Sequence, residues 1–274
     1  MVSGEASALT DTHCHLDFEA FDSDREEVLE RARQTGLVRI LNPGIDLQSS
    51  NTALLLAENH PEVFVAVGVH PNSATTFDDH TLQQLTELAA HPKVVAIGEI
   101  GLDYYRDRAP QDVQRRIFRM QLELASELSL PVIIHNRQAM DDVLKILSEW
   151  QAQLSSASSP LAEAPGVLHS YSDDVENGLK AIALNFYVGI TGPVTFQNAS
   201  ALQGVVTALP LDHLLIETDA PFLTPHPRRG KRNEPALVRQ VAEKIAELHS
   251  SKLVDVAATT TKNADRLFKW RVTA

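Results

Sequence analysis

Val63-Phe64-Val65-Ala66-Val67-Gly68-Val69 carries no polar side chain. A strand with one wet face would alternate, so an unbroken apolar run of this kind reads as a parallel strand covered on both faces. Working outward, seven more short β-branched or apolar runs stand near Leu9 to His15, Val38 to Asn42, Val94 to Ile100, Val132 to His135, Val167 to His169, Phe186 to Ile190 and Leu214 to Thr218. Amphipathic helices are predicted between them over Arg25 to Thr35, Leu82 to Ala90, Val113 to Leu128, Met140 to Gln153 and Pro235 to His249. This alternation predicts βα units around a parallel sheet, and eight strands close a barrel. The expected fold is α/β, one TIM-type (β/α)8 barrel across 1–274, near the roughly 250 residues typical of that architecture. A doubly wound open sheet is the competing architecture. Gln151 to Pro165, rich in Ser, Ala and Pro, is expected to be a long flexible surface connection on the face opposite the site.

At 43% hydrophobic and 22% charged residues the chain has the composition of a soluble protein with a substantial core. Its single cysteine, Cys14, excludes an internal disulfide, which predicts a reducing, cytoplasmic setting. Met1 to Thr10 lacks the basic start and apolar run of a signal peptide. Nowhere do about 18 uninterrupted apolar residues occur, so membrane residence is not expected. The formal charge of −12 argues against a broad basic surface gripping duplex DNA along its length, because such binding draws on many phosphate contacts. Any contact with nucleic acid has to be local. No obligate protein partner is indicated.

The strongest local signal is Asp11-Thr12-His13-Cys14-His15-Leu16, at the end of the first strand. Residues two apart on a strand share a face, so His13 and His15 can reach one cation. An isolated His-x-His is more often a pair of ordinary histidines. Here, however, four other runs also end in a ligand type: Glu99, His135, His169 and Asp219. Since C-terminal strand ends converge on one mouth of a barrel, six donors would meet there. Buried acids are rarely left unpaired, which favours a metal site. Two divalent ions need an anion between them, and Glu99 is the natural bridge. His13, His15 and Asp219 would complete one site, His135 and His169 the other. Imidazole with carboxylate suits Zn or Mn and leaves Mg open.

These motifs resemble the TatD family of metal-dependent deoxyribonucleases, within the amidohydrolase-like barrels. The resemblance runs from Asp11 to Phe268 and includes, besides the first motif, Gly-Val-His-Pro (68 to 71), Gly-Glu-Ile-Gly-Leu-Asp-Tyr-Tyr (98 to 105), Glu-Thr-Asp-Ala-Pro-Phe-Leu-Thr-Pro (217 to 225) and Arg-Gly-Lys-Arg-Asn-Glu-Pro (229 to 235). It implies an eight-stranded barrel, metal-dependent hydrolysis, nuclease activity on DNA ends and the same six ligands. One departure is Asp173, where many family members have glycine; pointing inward, it would repel phosphate.

Asp219 is the candidate general base, or a ligand, or both. Arg137 can clamp a phosphate with its planar fork, or pair with Asp103 or Asp141. His70 can bond a phosphate or orient a neighbour. Asp103 and Tyr104 follow Glu99 in a loop, where Tyr104 can stack on a base or pack the loop down. Arg228, Arg229, Lys231 and Arg232 form the densest basic cluster and are read as phosphate-binding. Asp11 orients a ligand or supports the barrel. Arg115, Arg116 and Arg119 read as a solvated helix face. The activity expected is exonucleolytic cleavage of DNA at single-stranded or frayed ends. Hydrolysis of a small amide or ester is the alternative, and a noncatalytic binding module a third.

Overall fold

A computed structural model describes residues 8–270; the extreme ends of the expected 1–274 domain, including most of the Met1 to Thr10 stretch, lie outside the described residues. Eight parallel strands follow one another in a single sheet in chain order: β1 (Leu9–Asp11), β2 (Leu37–Pro43), β3 (Val63–Val67), β4 (Val94–Asp103), β5 (Val132–Arg137), β6 (Gly166–Leu168), β7 (Tyr187–Ile190) and β8 (Leu214–Ile216). Every expected strand forms, and the β3 run is buried throughout, as its unbroken apolar sequence requires. The gap between β8 and β1 is bridged by backbone bonds from Thr12 N to Ile216 O (3.1 Å) and from Asp219 N to His13 O (2.8 Å). The buried Asp11 carboxylate adds bonds from Thr218 N (3.0 Å) and Thr218 Oγ1 (2.6 Å). The sheet is thus a nearly closed barrel, not an open doubly wound sheet.

The helices are α1 (Arg25–Gln34), α2 (Leu47–Asn59), α3 (Asp79–Ala89), α4 (Gln111–Leu128), α5 (Met140–Ser156), α6 (Val175–Ala183), α7 (Ser200–Ala208), α8 (Val238–Leu248) and α9 (Leu253–Phe268). Four of them, α2, α6, α7 and α9, go beyond those predicted. The N-terminus of α2 is fixed by a capping box, in which Asp46 accepts from Ser49 N at 2.8 Å and Ser49 Oγ accepts from Asp46 N at 3.0 Å.

Gln151 to Pro165 is not the flexible connection expected. α5 runs on to Ser156 because Gln151 and Leu154 are buried on its inner face, and a 3-10 turn at Pro160–Glu163 tucks Leu161 against the barrel. The segment does lie at the N-terminal strand ends, where Val132 N bonds Pro165 O, opposite the face that carries the ligand types.

One glycine decides how closely β4 and β5 approach. At Gly101 φ is 137°, and a Cβ there would stand 2.1 Å from the His135 carbonyl oxygen. Only a residue without a side chain permits that spacing, and the spacing sets Glu99 of β4 against His135 of β5.

Candidate metal centre

β1 ends at Asp11, earlier than predicted, so His13 and His15 lie beyond it. The backbone nevertheless stays extended, with Cys14 bridged to Ala220, so the two rings still alternate onto one side. Their Nε2 atoms are 3.2 Å apart and deeply buried. Asp219 Oδ1 lies 3.7 Å from His13 Nε2 and 3.6 Å from His15 Nε2. Glu99 presents one oxygen to each half of the cluster. Its Oε2 is 3.5 Å from His13 Nε2, while Oε1 is 2.7 Å from His135 Nδ1 and 3.7 Å from His169 Nε2. The structure therefore brings all six predicted donors together.

Three groups of donor atoms fall within 4.8 Å of one another: His13, His15 and Asp219; His13, Glu99 and His169; His70, Glu99 and His135. Two imidazole nitrogens aimed into the same buried space, and a buried His135 Nε2 with no hydrogen-bond partner, are what a cation would satisfy. The donor set fits a divalent metal.

The five histidines are not alike. Burial drives His13 well below its ordinary value, His15 down to about 4 and His70 down to about 3. Burial acts on His169 in the same direction, but the Glu99 and Glu217 carboxylates outweigh it and raise that imidazole to about 9. His135 is raised too, because Asp103 and Glu99 overcome its burial. Glu99 is held well below the carboxylate range: burial opposes this, and the charge of His169 with the hydrogen bonds of His13 and His135 prevails. Burial pushes Asp219 up to about 7, against the pull of His169.

Tautomers sort the rings further. Asn72 N–H donates to His70 Nδ1 at 3.1 Å, so in neutral His70 the proton sits on Nε2. His70 then offers a donor toward Glu99 Oε1, 3.7 Å away, and not a lone pair. His169 is the reverse case, with Nδ1 facing Glu217 Oε2 at 3.2 Å.

Above the donors opens a cleft of about 310 Å³, lined by His70, Asp103, Arg106, Arg108, Arg137, Phe18 and Phe222 as well as by five of the six donors. Asp103 organises the loop after β4: its Oδ1 accepts from Tyr105 N (3.0 Å) and Arg106 N (2.9 Å), and its Oδ2 from Asn72 Nδ2 (3.2 Å). Arg137 stands over the exposed Tyr105 ring at 4.1 Å; among the described residues it forms no ion pair with Asp103 or Asp141.

The structure places several of the expected substrate residues away from the cleft lining. Tyr104 is outside the cleft lining, its hydroxyl held by Asp142 and Arg115, so it packs the loop down. Arg229, Lys231 and Arg232 are likewise absent from the lining. Arg232 is committed to Asp24 (2.7 Å) and the Ala20 carbonyl (2.7 Å), and Arg229 lies 4.5 Å over Phe196. The cations of the cleft are Arg106, Arg108 and Arg137; the first two sit within three residues after Tyr105, where no motif marks them in the sequence. Asp173 bonds Asp174 N and Asn177 Nδ2 at the start of α6 and does not line the cleft. Glu217, wholly buried beneath His169, was also missed.

A family model described as TatD related DNase matches residues 10–269. The chain is 46% identical over 261 residues to the uncharacterized metal-dependent hydrolase YabD of Bacillus subtilis, covering 95% of this chain and 99% of that one. It is 36% identical over 253 residues to the 3'-5' ssDNA/RNA exonuclease TatD of Cronobacter sakazakii, covering 90% and 93%. Among solved structures, the TatD homolog YJJV of Escherichia coli K12 superimposes with a TM-score of 0.88 at 32% identity, over 96% of this chain and 99% of that one. No helix among the described residues is long and apolar enough to cross a membrane.

Proposed function

Because the chain belongs to the TatD-related DNase family, and so is a metal-dependent hydrolase, we propose that it is an exonuclease that removes nucleotides from single-stranded or frayed ends of nucleic acid. The observation that carries this reading is the clustering of three guanidinium groups, Arg106, Arg108 and Arg137, in the same cleft as the donors of the metal centre, in a chain of net charge −12. A cationic mouth on an acidic protein selects an anionic substrate locally, and planar guanidinium forks suit phosphate. The exposed Phe222 and its edge-on neighbour Phe18, 6.0 Å away, offer a base a face to stack on, which requires an unpaired base. The name of the Cronobacter relative accords with this. A single catalytic domain and a cytoplasmic setting are part of the same reading.

Two divalent ions, of Mg, Mn or Zn, would be held by His13, His15 and Asp219 on one side and by His135 and His169 on the other, with Glu99 between them. When bound, such ions supply Lewis-acid charge and make water acidic enough to be a nucleophile near neutral pH. The chain's own groups do the rest. Asp219, whose Oδ1 lies 3.6 to 3.7 Å from the His15 and His13 Nε2 atoms at the floor of the cleft, is placed to accept the proton of the attacking water. His70 Nε2–H is placed to donate a hydrogen bond to a phosphate oxygen, and the arginines offset its charge. Asp219 then returns the proton to the departing oxygen as the P–O bond breaks.

The test is metal-stripped protein with end-labelled single-stranded DNA, RNA and duplex, with free and blocked ends, under added Mg, Mn or Zn. Stepwise shortening only from free single-stranded ends is expected. Turnover confined to small amides or esters would overturn the reading.

A further inference from the structure

We propose that Glu217 is a positioning residue of the metal centre: it holds the His169 ring so that Nε2, and not Nδ1, is the nitrogen offered to a cation. The inference rests on the reading of His169 as a ligand. Glu217 lies in the strand extension two residues before Asp219 and is 0% exposed. Its Oε2 accepts from Ser170 N at 2.9 Å and faces His169 Nδ1 at 3.2 Å; its Oε1 accepts from Thr12 Oγ1 at 3.3 Å. Glu217 Oε2, which already accepts from Ser170 N, presents an acceptor to the ring, so in neutral His169, the form that binds a cation, the proton sits on Nδ1. Nε2 then faces Glu99 Oε1, 3.7 Å away on the cluster side.

The space that Glu217 fills is built for it. At Gly189 in β7 a Cβ would stand 2.2 to 2.4 Å from all three carboxyl atoms of Glu217. β7 supplies none of the six donors, yet the missing side chain there admits the carboxylate. The arrangement is also particular to one ring. His13 and His15 have buried Nδ1 atoms with no hydrogen-bond partner, and His70 Nδ1 accepts a bond, which leaves its Nε2 protonated. His135 Nε2 also has a carboxylate beside it, Asp103 Oδ2 at 3.6 Å, but among the described residues only His169 of the candidate ligands has one within hydrogen-bond distance of the nitrogen that faces away from the cluster, 3.2 Å. A hydrogen bond of that kind fixes tautomer and ring orientation and makes the other nitrogen a better ligand.

The test compares Glu217→Ala, Glu217→Gln and His169→Ala with the unmodified full chain, reading Mn and Zn stoichiometry and affinity by chelator competition at a temperature well below the melting point of every variant. Loss of such a partner costs about 10- to 100-fold in metal affinity, and that loss is expected for one of two equivalents in Glu217→Ala. Glu217→Gln keeps an acceptor for Nδ1–H and should fall between Glu217→Ala and the parent. Two-bond proton–nitrogen spectra of the metal-loaded protein should show His169 protonated at Nδ1 in the parent and in Glu217→Gln. If Glu217→Ala does not fold, Glu217→Gln and these spectra still decide. Unchanged affinity in Glu217→Ala, or a His169 proton on Nε2 in the parent, overturns the proposal. Wild-type metal content in His169→Ala would instead overturn the reading of His169 as a ligand.

Discussion

Neutralising Glu99 is the sharpest test of the centre as a whole. Glu99→Gln keeps the size of the side chain and removes the one charge that faces both halves of the cluster, with imidazole nitrogens 2.7 Å from Oε1 and 3.5 Å from Oε2. At about 4 Å and an effective dielectric near 20, a unit pair interacts by about 4 kcal/mol, and a dication with a carboxylate by about twice that. Much of this is offset because an amide is cheaper to bury than a carboxylate. A net loss of several kcal/mol per ion remains, so about 10³-fold or more in kcat/KM is expected, at 1.36 kcal/mol per factor of ten. Metal retained after dialysis should fall below that of the parent in both classes of site. Circular dichroism should be unchanged, since Glu99 sits in a ten-residue strand buried throughout. Parent-level turnover of a small phosphodiester, with parent-level metal content, would refute the bridging role and with it the two-ion layout.

Other outcomes follow from the same geometry. For the metal-free protein, His169 is raised from 6.5 to about 9; a folded pKa above the unfolded one stabilises fully below pH 6.5, and that contribution is lost as pH rises to 9, on the order of 1 to 3 kcal/mol. Melting temperature without metal should therefore decline between pH 7 and 9, and a flat profile would contradict the Glu99–His169–Glu217 arrangement. Arg106→Ala with Arg108→Ala should weaken oligonucleotide binding, whereas Arg229→Ala with Lys231→Ala should leave it near that of the parent; the opposite ranking in a fluorescence anisotropy titration would move the phosphate site. Phe222→Ala should cost roughly 1 to 3 kcal/mol in binding single-stranded DNA if it stacks on a base, and no loss would exclude it from the substrate path. The salt dependence of single-strand binding should be shallow, equivalent to about two to four phosphates at roughly −0.7 each; a steep slope with tight duplex binding would rule out end-gripping.

What could be read before the structure was whatever depends on neighbours in sequence. The strands were legible because burial on both faces leaves no polar position in a run such as Val63 to Val69. The six predicted donors were legible because each is a histidine or acid at or just past the C-terminal end of such a run. α2 was not, since Leu54, Leu55 and Leu56 blur the helical period while Leu55 stands 62% exposed; α9 was masked by Thr259, Thr260 and Thr261, poor helix formers at adjacent positions. Glu217 reads as one more strand residue because the ring it holds is 48 positions away. Where the basic cluster at 228 to 232 points was not legible, because charge density along a chain carries no direction. The partner that takes Arg232 out of the cleft, Asp24, is 208 residues distant.

The seam between the first and last strands has a consequence for how the protein is made. Asp11 and Thr218, which clasp it, are 207 residues apart, and His13, His15 and Asp219 lie directly beside that clasp. Chains emerge from synthesis amino end first and bury what they can as they go, but no earlier portion of this one can close the ring. Until β8 arrives, β1 and β7 present open edges of the kind that recruit other chains. Closure over so long a separation is entropically late and belongs to the slow, non-local class of folding steps. A ribosome stalled before residue 214 would hold a sheet with histidines and Glu99 but no Asp219 to complete the first group. Assembly of the His13–His15–Asp219 group and escape from edge-mediated aggregation thus both wait on the arrival of β8.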